Sequence, residues 1–284
     1  MPTAIVSDST CDLPASLAAQ NKISIVNNAI VMDGKSYEDG KDLTREEFYT
    51  MLPGLKSQPT TATAAAGVYE KLYESLFANG ADEIISIHLA ASLSGVFNAA
   101  RLGAQRFGEK VKIFDTGMLS MGVGFIALQA SRLAAQGLSA SQILVEIAAM
   151  QPRVRLYAML DTLEFIRRSG RVSWAQARLG GLLGLRPFLE VREGKVNSLG
   201  EARTRTKGIE RLYSLLAEVG PLEQLAILHT NAPAEAQMFY EKAIERLAVN
   251  TVQIPPLLIN VTTAIGTHVG PNALGFVAVR RVQP

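Results

Sequence analysis

Three short stretches of the sequence carry polar side chains that could bind or activate a ligand. Pro59-Thr60-Thr61-Ala62 and Ser92-Leu93-Ser94-Gly95 each place hydroxyl groups at a predicted helix start, and His268 is one of only three histidines. The amides of a helix start favour an anion, and hydroxyl and imidazole groups can donate hydrogen bonds to an oxyanion. The combination indicates an anion site, whereas ordinary helix caps are the alternative explanation for the hydroxyl groups.

His268 lies in a glycine-rich stretch, residues 266–275, that also contains a proline. Such a stretch predicts a shaped loop, and the apolar run 276–279 that follows it predicts a strand that anchors the loop. A structural histidine with satisfied hydrogen bonds is the alternative here. His88 and His229 lie in apolar runs and are predicted to be packed inside strands.

A catalytic interpretation would use Ser94 as nucleophile and His268 as base, in an acyl hydrolase or transferase. The sequence argues against it, because Ser92 occupies the position of the first glycine in a Gly-x-Ser-x-Gly nucleophile elbow. A triad also needs a carboxylate behind the histidine. Asp8 or Asp115 could serve, but nothing in the sequence points to either. We therefore expect a protein without catalytic residues of its own.

Other site motifs are incomplete. Gly122-Val123-Gly124 follows the preceding predicted strand too late for a dinucleotide fingerprint, and the required acidic residue is missing. The sequence contains no His-Glu-x-x-His or Cys-x-x-Cys pattern, and Cys11 is its single cysteine. We therefore expect neither a metal ion nor a cofactor.

The first half of the chain alternates predicted strands and helices, as in a doubly wound α/β layer with a mainly parallel sheet. Apolar strands are predicted at residues 4–6, 83–88 and 111–115, with helices between and after them. Ligands of such sheets bind beyond the carboxyl ends of the strands. The stretches that begin at Ser7 and at Ala91 are both predicted to lie at that edge.

The pattern changes after Pro152, and a smaller α+β domain is predicted from there to the end. We place the two domains at residues 1–152 and 153–284. The elements predicted in the second are a strand at 155–160, a short helix at 162–168, a hairpin of 188–191 with 196–199, helices at 206–218 and 234–247, and strands at 224–229 and near Thr251 and Gly275.

The composition describes a well-packed globular protein. Of its 284 residues, 48% are hydrophobic and 19% are charged, and the net charge is only +2. A nucleic-acid-binding protein usually has a clear basic excess, so nucleic acid is not expected as a partner. The single cysteine, the missing secretory signal and the lack of a long apolar run favour a cytoplasmic location.

Seven segments of the chain, taken in order, carry a family resemblance. They are Asp8-Ser9-Thr10-x-Asp12-Leu13-Pro14, Pro59-Thr60-Thr61, Ser94-Gly95, Asp115-Thr116, Thr162-Leu163-Glu164-Phe165-Ile166-Arg167-Arg168-Ser169-Gly170-Arg171-Val172-Ser173, Arg203-Thr204 and His268-Val269-Gly270-Pro271. Together they resemble the DegV family of bacterial fatty-acid-binding proteins along nearly the whole length. The resemblance implies an α/β domain joined to a smaller α+β domain, with one acyl chain in a tunnel between them.

The resemblance also implies which side chains hold the fatty acid carboxylate, namely Thr61, Ser94 and His268, with Thr60, Ser92 and Gly95 as secondary contacts. This sequence departs from the family's usual Thr-Ser-Gln-Pro run, because Thr61-Ala62-Thr63-Ala64 stands there and Ser57-Gln58-Pro59 lies just upstream. The Pro59-Thr60-Thr61 match favours Thr61 as the hydroxyl that binds the carboxylate, while Thr60 and Ser57 remain alternatives.

A non-catalytic carrier is the function that the resemblance implies. Such a carrier presents the carboxylate to a separate fatty acid kinase subunit, which makes an acyl phosphate from ATP. Arg171 and Arg203 match basic positions near the tunnel mouth that face this partner, and ordinary surface charge is the alternative explanation. Transient contact with a membrane is compatible with the role. We expect apolar faces such as residues 119–128 and 179–185 to line the tunnel.

Overall fold

The computed structural model describes residues 2–177, 184–246 and 255–282. Thirteen strands in these residues form three sheets, ordered β2-β1-β6-β7, β10-β9-β8-β13-β11-β12 and β4-β3-β5. We name them the parallel sheet, the six-stranded sheet and the small sheet. The strands are β1 (Thr3–Asp8), β2 (Ile23–Val26), β3 (Ala29–Met32), β4 (Lys35–Glu38), β5 (Thr60–Ala62), β6 (Glu83–His88), β7 (Val111–Asp115), β8 (Val154–Met159), β9 (Arg186–Arg192), β10 (Lys195–Ala202), β11 (Leu222–His229), β12 (Leu257–Asn260) and β13 (Leu274–Arg280).

Eleven α-helices connect and cover these sheets in the described residues. None of the helices found there is long and apolar enough to cross a lipid bilayer. The helices are α1 (Ala15–Gln20), α2 (Arg45–Met51), α3 (Ala66–Ala78), α4 (Val96–Ala104), α5 (Met121–Ala135), α6 (Ala140–Met150), α7 (Glu164–Ser169), α8 (Ser173–Ala177), α9 (Arg205–Val219), α10 (Pro233–Arg246) and α11 (Thr263–Val269).

The parallel sheet confirms the predicted α/β architecture. Strand β1 lies between β2 and β6, and all three pairings in the sheet are parallel. The middle strands are apolar and buried, as expected for a sheet covered on both faces. Thr10 lies in the segment after β1, which ends at Asp8, and Ser94 lies in the segment between β6, which ends at His88, and α4. Both segments leave the carboxyl edge of the sheet, where the alternation of elements predicted them.

The six-stranded sheet is built from the second half of the chain, and its inner strand β13 lies between β8 and β11. The predicted hairpin is confirmed as β9 and β10, which pair in antiparallel fashion around Glu193 and Gly194. The predicted strand near Thr251, the helix end at Leu247 and the apolar residues 179–183 lie outside the described residues.

Helix α5 joins the two larger sheets into one core. It is buried along most of its length and contacts β1 on one side and β8 and β13 on the other. Gly124 lies against the backbone of Cys11, because a Cβ on Gly124 would lie 2.7 Å from the carbonyl oxygen of Cys11. Close helix packing therefore explains the Gly122-Val123-Gly124 pattern, and a nucleotide loop is not needed.

The small sheet corrects the prediction for Thr60 and Thr61. These residues do not begin a helix but form β5, in which Thr61 pairs with Ile30 of β3. Helix α3 starts later, at Ala66, and no side chain caps it. The explanation of these threonines as helix caps was therefore wrong, because pairing with β3 holds their backbone extended.

The predicted loop around His268 was also wrong. His268 lies in the last turn of α11, and Gly266 lies within the same helix. A Cβ on Gly266 would lie 2.2 Å from the hydroxyl oxygen of Tyr49. Glycine is required there for close contact between α11 and α2, and the sequence pattern alone cannot distinguish this use from a loop.

Candidate functional site

Thr61, Ser94 and His268 meet in one cavity between the two halves of the chain. Its empty volume is about 740 Å³, including open space at its mouth, and we name it the polar chamber. Strand β5 supplies Thr61, the turn before α4 supplies Ser94, and α11 supplies His268. The structure therefore brings together in one cavity the three side chains that the family resemblance implied.

The central contact of the polar chamber is a hydrogen bond between Thr61 Oγ1 and His268 Nε2, at 3.0 Å. Burial, together with a smaller effect of the positive charge of Arg171, lowers the pKa of His268 from its usual 6.5 to about 4. The imidazole is therefore neutral at pH 7, with one N–H and one lone pair. When Nε2 carries the hydrogen, it donates to Thr61, and the Thr61 hydroxyl is left to donate into the chamber.

Ser94 supplies a second hydroxyl donor. Its Oγ accepts a long hydrogen bond of 3.4 Å from the amide of Val96, in the first turn of α4, which leaves its own hydrogen for a ligand. Arg171 is the only permanently charged side chain among the described residues of this lining, and no carboxylate was found among them. Two hydroxyl donors and one cation without a competing acid favour an anionic ligand group.

The secondary residues named from the family resemblance lie outside the lining. Thr60 is exposed on β5. Ser92 donates a hydrogen bond to the carbonyl of Gly194 in the turn between β9 and β10, so it joins the two halves of the chain. Gly95 is the residue before α4, and Ser57 donates to Asp33 at 3.0 Å. The geometry therefore favours Thr61 over Thr60 and Ser57.

The two arginines differ in position. Arg171 is exposed, lines the polar chamber and is close enough to lower the pKa of His268. Its amide bonds to the hydroxyl of Ser169, which fixes the backbone there. Arg203 is also exposed but outside the lining, and it has no hydrogen bond or ion pair with any described residue.

A second cavity, which we name the apolar chamber, adjoins the first. The two share five apolar lining residues, and the apolar chamber has an empty volume of about 570 Å³. Among its described lining residues there is no Asp, Glu, Lys or Arg. The shared residues are Leu119, Ile166, Val196, Ile265 and Val269.

The apolar chamber therefore lies between the start of α5, the helices α7 and α11, and the face of the six-stranded sheet. Leu119 agrees with the expectation that residues 119–128 contribute to the lining. A larger groove near Leu17 and Leu257 contains none of the predicted site residues. The combined cavity is consequently amphiphilic, with polar groups at its mouth and apolar walls behind them.

Two polar residues of the mouth escaped the sequence prediction. Thr10 and Asn28 line the polar chamber, and both donate hydrogen bonds to Asp8 Oδ1. Asp8 Oδ2 in turn lies 2.8 Å from His88 Nδ1, and His88 Nε2 lies 2.7 Å from Ser86 Oγ. The sequence Asp8-Ser9-Thr10 at the predicted end of a strand could have indicated Thr10 as a site residue. No sequence pattern indicated Asn28.

Asp8, His88 and Ser86 have the hydrogen-bond order of a catalytic triad. All three side chains are 0% exposed, and the Ser86 hydroxyl oxygen also accepts a hydrogen bond from Tyr73 at 2.8 Å. A nucleophile must reach its substrate, so this group is a buried structural network that supports Thr10.

The proposed pair of Ser94 and His268 lacks the contacts of a nucleophile and base. His268 Nε2 bonds to Thr61, and no hydrogen bond joins Ser94 to His268 within the described residues. The same residues give His268 no carboxylate partner. They also contain no group of three His, Cys, Asp or Glu side chains suited to a metal ion.

The fold and the cavity define a class: an α/β protein that encloses an amphiphilic chamber between a parallel sheet and a second, mainly antiparallel sheet. The model of the family described as "Uncharacterised protein, DegV family" matches residues 2–281. The chain belongs to the DegV family, and the resemblance seen in its sequence motifs is confirmed.

Two relatives align in sequence with nearly the whole chain. Protein DegV of Bacillus subtilis is 33% identical over 282 residues, which cover 97% of this chain and 98% of the relative. A DegV domain-containing protein of Streptomyces coelicolor is 32% identical over 285 residues, with 98% of each chain covered.

Solved structures of the family have the same fold. A DegV family protein from Thermus thermophilus, described for its fatty acid binding, aligns with a TM-score of 0.90 and 29% identity, over 99% of this chain and 100% of its own. The structure of DegV from Bacillus subtilis, described as a fatty acid binding protein, aligns with a TM-score of 0.85 and 32% identity, again over 99% and 100%.

Proposed function

We propose that the protein binds a single long-chain fatty acid, with the carboxylate in the polar chamber and the acyl chain in the apolar chamber. One observation carries the proposal. A chamber with hydroxyl, imidazole and guanidinium groups and no acid in its described lining shares a wall with a chamber whose described lining has no Asp, Glu, Lys or Arg. The fatty acid binding described for the Thermus thermophilus and Bacillus subtilis proteins supports it.

The two chambers make different contributions to the free energy of fatty acid binding. Each methylene group that leaves water contributes about 0.8 kcal/mol, so the acyl chain provides the main driving force. A carboxylate that loses water without hydrogen-bond donors would cost several kcal/mol. Thr61, Ser94 and His268 supply these donors, and Arg171 supplies positive charge at the mouth. In this proposal, residues 1–152 form the domain with the hydroxyl groups, and residues 153–284 form the domain with the histidine and the cover of the tunnel.

The proposal extends to a partner. The protein has no catalysis of its own, works in the cytoplasm with transient membrane contact, and presents the carboxylate to a fatty acid kinase subunit that forms the acyl phosphate. Arg171 lies at the chamber mouth and Arg203 is exposed, as a docking role requires. Replacing Arg203 with Glu should weaken kinase-dependent turnover while palmitate still binds, whereas Arg171→Glu should weaken both, because it also reverses the charge at the chamber mouth. Loss of palmitate binding in Arg203→Glu would contradict the docking role.

Native mass spectrometry is the direct test of lipid binding. The purified protein should carry one fatty acid, and the delipidated protein should take up one equivalent of palmitate. A protein that is empty and takes up no fatty acid would refute the proposal. Incubation with an activated acyl ester provides the test for catalysis, because acylation of Ser94 would support an acyl transferase instead.

A further inference from the structure

Two buried carboxyl groups, Asp12 and Asp39, lie behind the polar chamber and are not part of its lining. Both bond to the start of α11, the helix that carries His268. Asp12 Oδ1 accepts from the amide of Thr262 at 2.6 Å. Asp39 Oδ2 accepts from the Thr262 hydroxyl, and Asp39 Oδ1 accepts from the Thr263 hydroxyl at 2.6 Å. The first turn of α11 is thus held from two sides.

Asp39 belongs to the part of the chain that carries Thr61. It follows β4 directly, and its amide donates to the carbonyl of Asn28, the residue before β3. Strand β3 pairs with β4 on one side and with β5 on the other, so Asp39 and Thr61 are fixed to the same small sheet. The Asp39 side chain reaches from this sheet to α11, over 223 residues of sequence.

The small sheet and α11 are consequently joined by hydrogen bonds at two points. Asp39 bonds near the start of the helix, and Thr61 bonds to His268 in its last turn. Thr263 and His268 are five residues apart, which is roughly 7.5 Å along a helix axis. A single attachment to the small sheet would allow α11 to shift relative to that sheet, whereas two separated attachments fix both the position and the rotation of the helix relative to Thr61.

We infer that Asp39 is a positioning residue for the Thr61–His268 pair. By fixing α11 against the small sheet, it holds the imidazole Nε2 at hydrogen-bond distance from Thr61 and leaves the Thr61 hydroxyl to donate to a carboxylate. The effect on ligand affinity rests on the proposed fatty acid binding, whereas the effect on the imidazole does not. Asp39 acts through α11 and does not contact the ligand.

The first measurement needs no lipid. The nitrogen and proton resonances of the three imidazoles distinguish the two neutral tautomers, and single His variants assign them. In the unsubstituted protein, His268 should show one tautomer with hydrogen on Nε2. In Asp39→Ala it should show a mixture of tautomers, and the signals of His88 should be unchanged.

The second measurement is palmitate affinity. If Asp39→Ala lowers the aligned population of the pair to about a tenth, the dissociation constant rises about tenfold. Asp33→Ala is the matched control, since Asp33 lies in the turn of the same small sheet, bonds to residues 56 and 57, and does not contact α11. The control should leave both the His268 tautomer and the palmitate affinity unchanged within twofold.

A double variant separates positioning from general stability. In a His268→Gln background, Asp39→Ala should change palmitate affinity less than twofold, because the pair it positions is already absent. If Asp39→Ala does not fold, Thr263→Val keeps the side-chain volume, removes one of the two hydroxyl bonds and should cause a smaller change in the same direction.

The inference is overturned if the His268 tautomer is the same with and without Asp39. It is also overturned if Asp33→Ala weakens binding equally, or if the two effects simply add in the double variant. A protein that never binds palmitate would refute the proposed function instead, and the tautomer comparison would still decide the role of Asp39.

Discussion

The buried carboxyl group of Asp12 should make stability depend on pH in a defined direction. Asp12 is 1% exposed and accepts hydrogen bonds from Thr262 and Ser120, and the nearest Arg45 nitrogen is 3.9 Å from it. Burial raises its pKa from 3.8 to about 6, opposed chiefly by the charge of Arg45 and supported by that of Asp39. The perturbation is Asp12→Asn, which keeps the shape and removes the titration.

The sign of this pH dependence follows from the number of protons that the folded and unfolded states bind. Between pH 4 and 6 the folded Asp12 binds more protons than the unfolded one, so the free energy of unfolding increases as the pH falls. With pKa values of 3.8 and about 6, the increase from pH 7.5 to pH 5 is about 1.4 kcal/mol.

The titration of His268 changes the free energy of unfolding in the opposite direction. Its pKa is lowered from 6.5 to about 4, so its contribution decreases by about 2 kcal/mol over the same interval, as the unfolded imidazole takes up a proton. The two contributions largely cancel in the unsubstituted protein, and only a comparison with the variant reveals Asp12.

Urea unfolding at the two pH values provides the assay, with the fluorescence of Trp174, the only tryptophan, as the signal. The stability of Asp12→Asn relative to the unsubstituted protein should fall by about 1.4 kcal/mol from pH 7.5 to pH 5. Asp33→Asn is the control. Asp33 is exposed and its pKa is below 3.8, so it stays ionised throughout this interval. A difference that is constant within about 0.5 kcal/mol would refute the reasoning.

Three further substitutions test the chambers and the helix contact. Thr61→Val should weaken palmitate binding roughly 10- to 150-fold in calorimetry, since a hydrogen bond to a charged group contributes about 1.5–3 kcal/mol. Ala158→Leu fills part of the apolar chamber. It should exclude two or three methylenes and weaken palmitate binding about thirtyfold, while laurate binding hardly changes. Gly266→Ala should lower the free energy of unfolding by about 2 kcal/mol because of the clash with the Tyr49 hydroxyl, and Tyr49→Phe should restore most of it in urea unfolding.

Each of these has a control in the chain. Thr60→Val removes the neighbouring exposed hydroxyl and should leave affinity unchanged, so equal losses at both positions would contradict the assignment of Thr61. Equal weakening of palmitate and laurate by Ala158→Leu would mean that the chain does not reach that wall. A double variant as unstable as Gly266→Ala alone would show that the hydroxyl is not the obstacle.

Local sequence patterns were sufficient to predict most of the fold. Strands β6 and β7, the β9–β10 hairpin and the capped helix α6 follow from apolar runs and turn or cap residues that are adjacent in sequence. The position of Thr10 and Ser94 at one edge follows from the order of parallel strands. The predicted boundary between residues 152 and 153 stays a prediction.

The errors have a common physical cause, which is contact between distant segments. Thr60 and Thr61 are extended because β3 pairs with them, and Gly266 is helical because Tyr49 lies against it. The Thr61–His268 bond spans 207 residues, and no local periodicity encodes such a pairing. The family resemblance brought the trio together, whereas Asp39 and Asn28 became visible only through the contacts of the folded chain.

The place of β13 in its sheet sets an order of events during synthesis. The ribosome makes β8 and β11 before it makes the strand that separates them, Leu274–Arg280. Until β13 is made, β8 and β11 each have one unpaired edge, and such edges are templates for aggregation. Completion of the six-stranded sheet must await the synthesis of β13, and we expect the nascent chain to depend on chaperones until then.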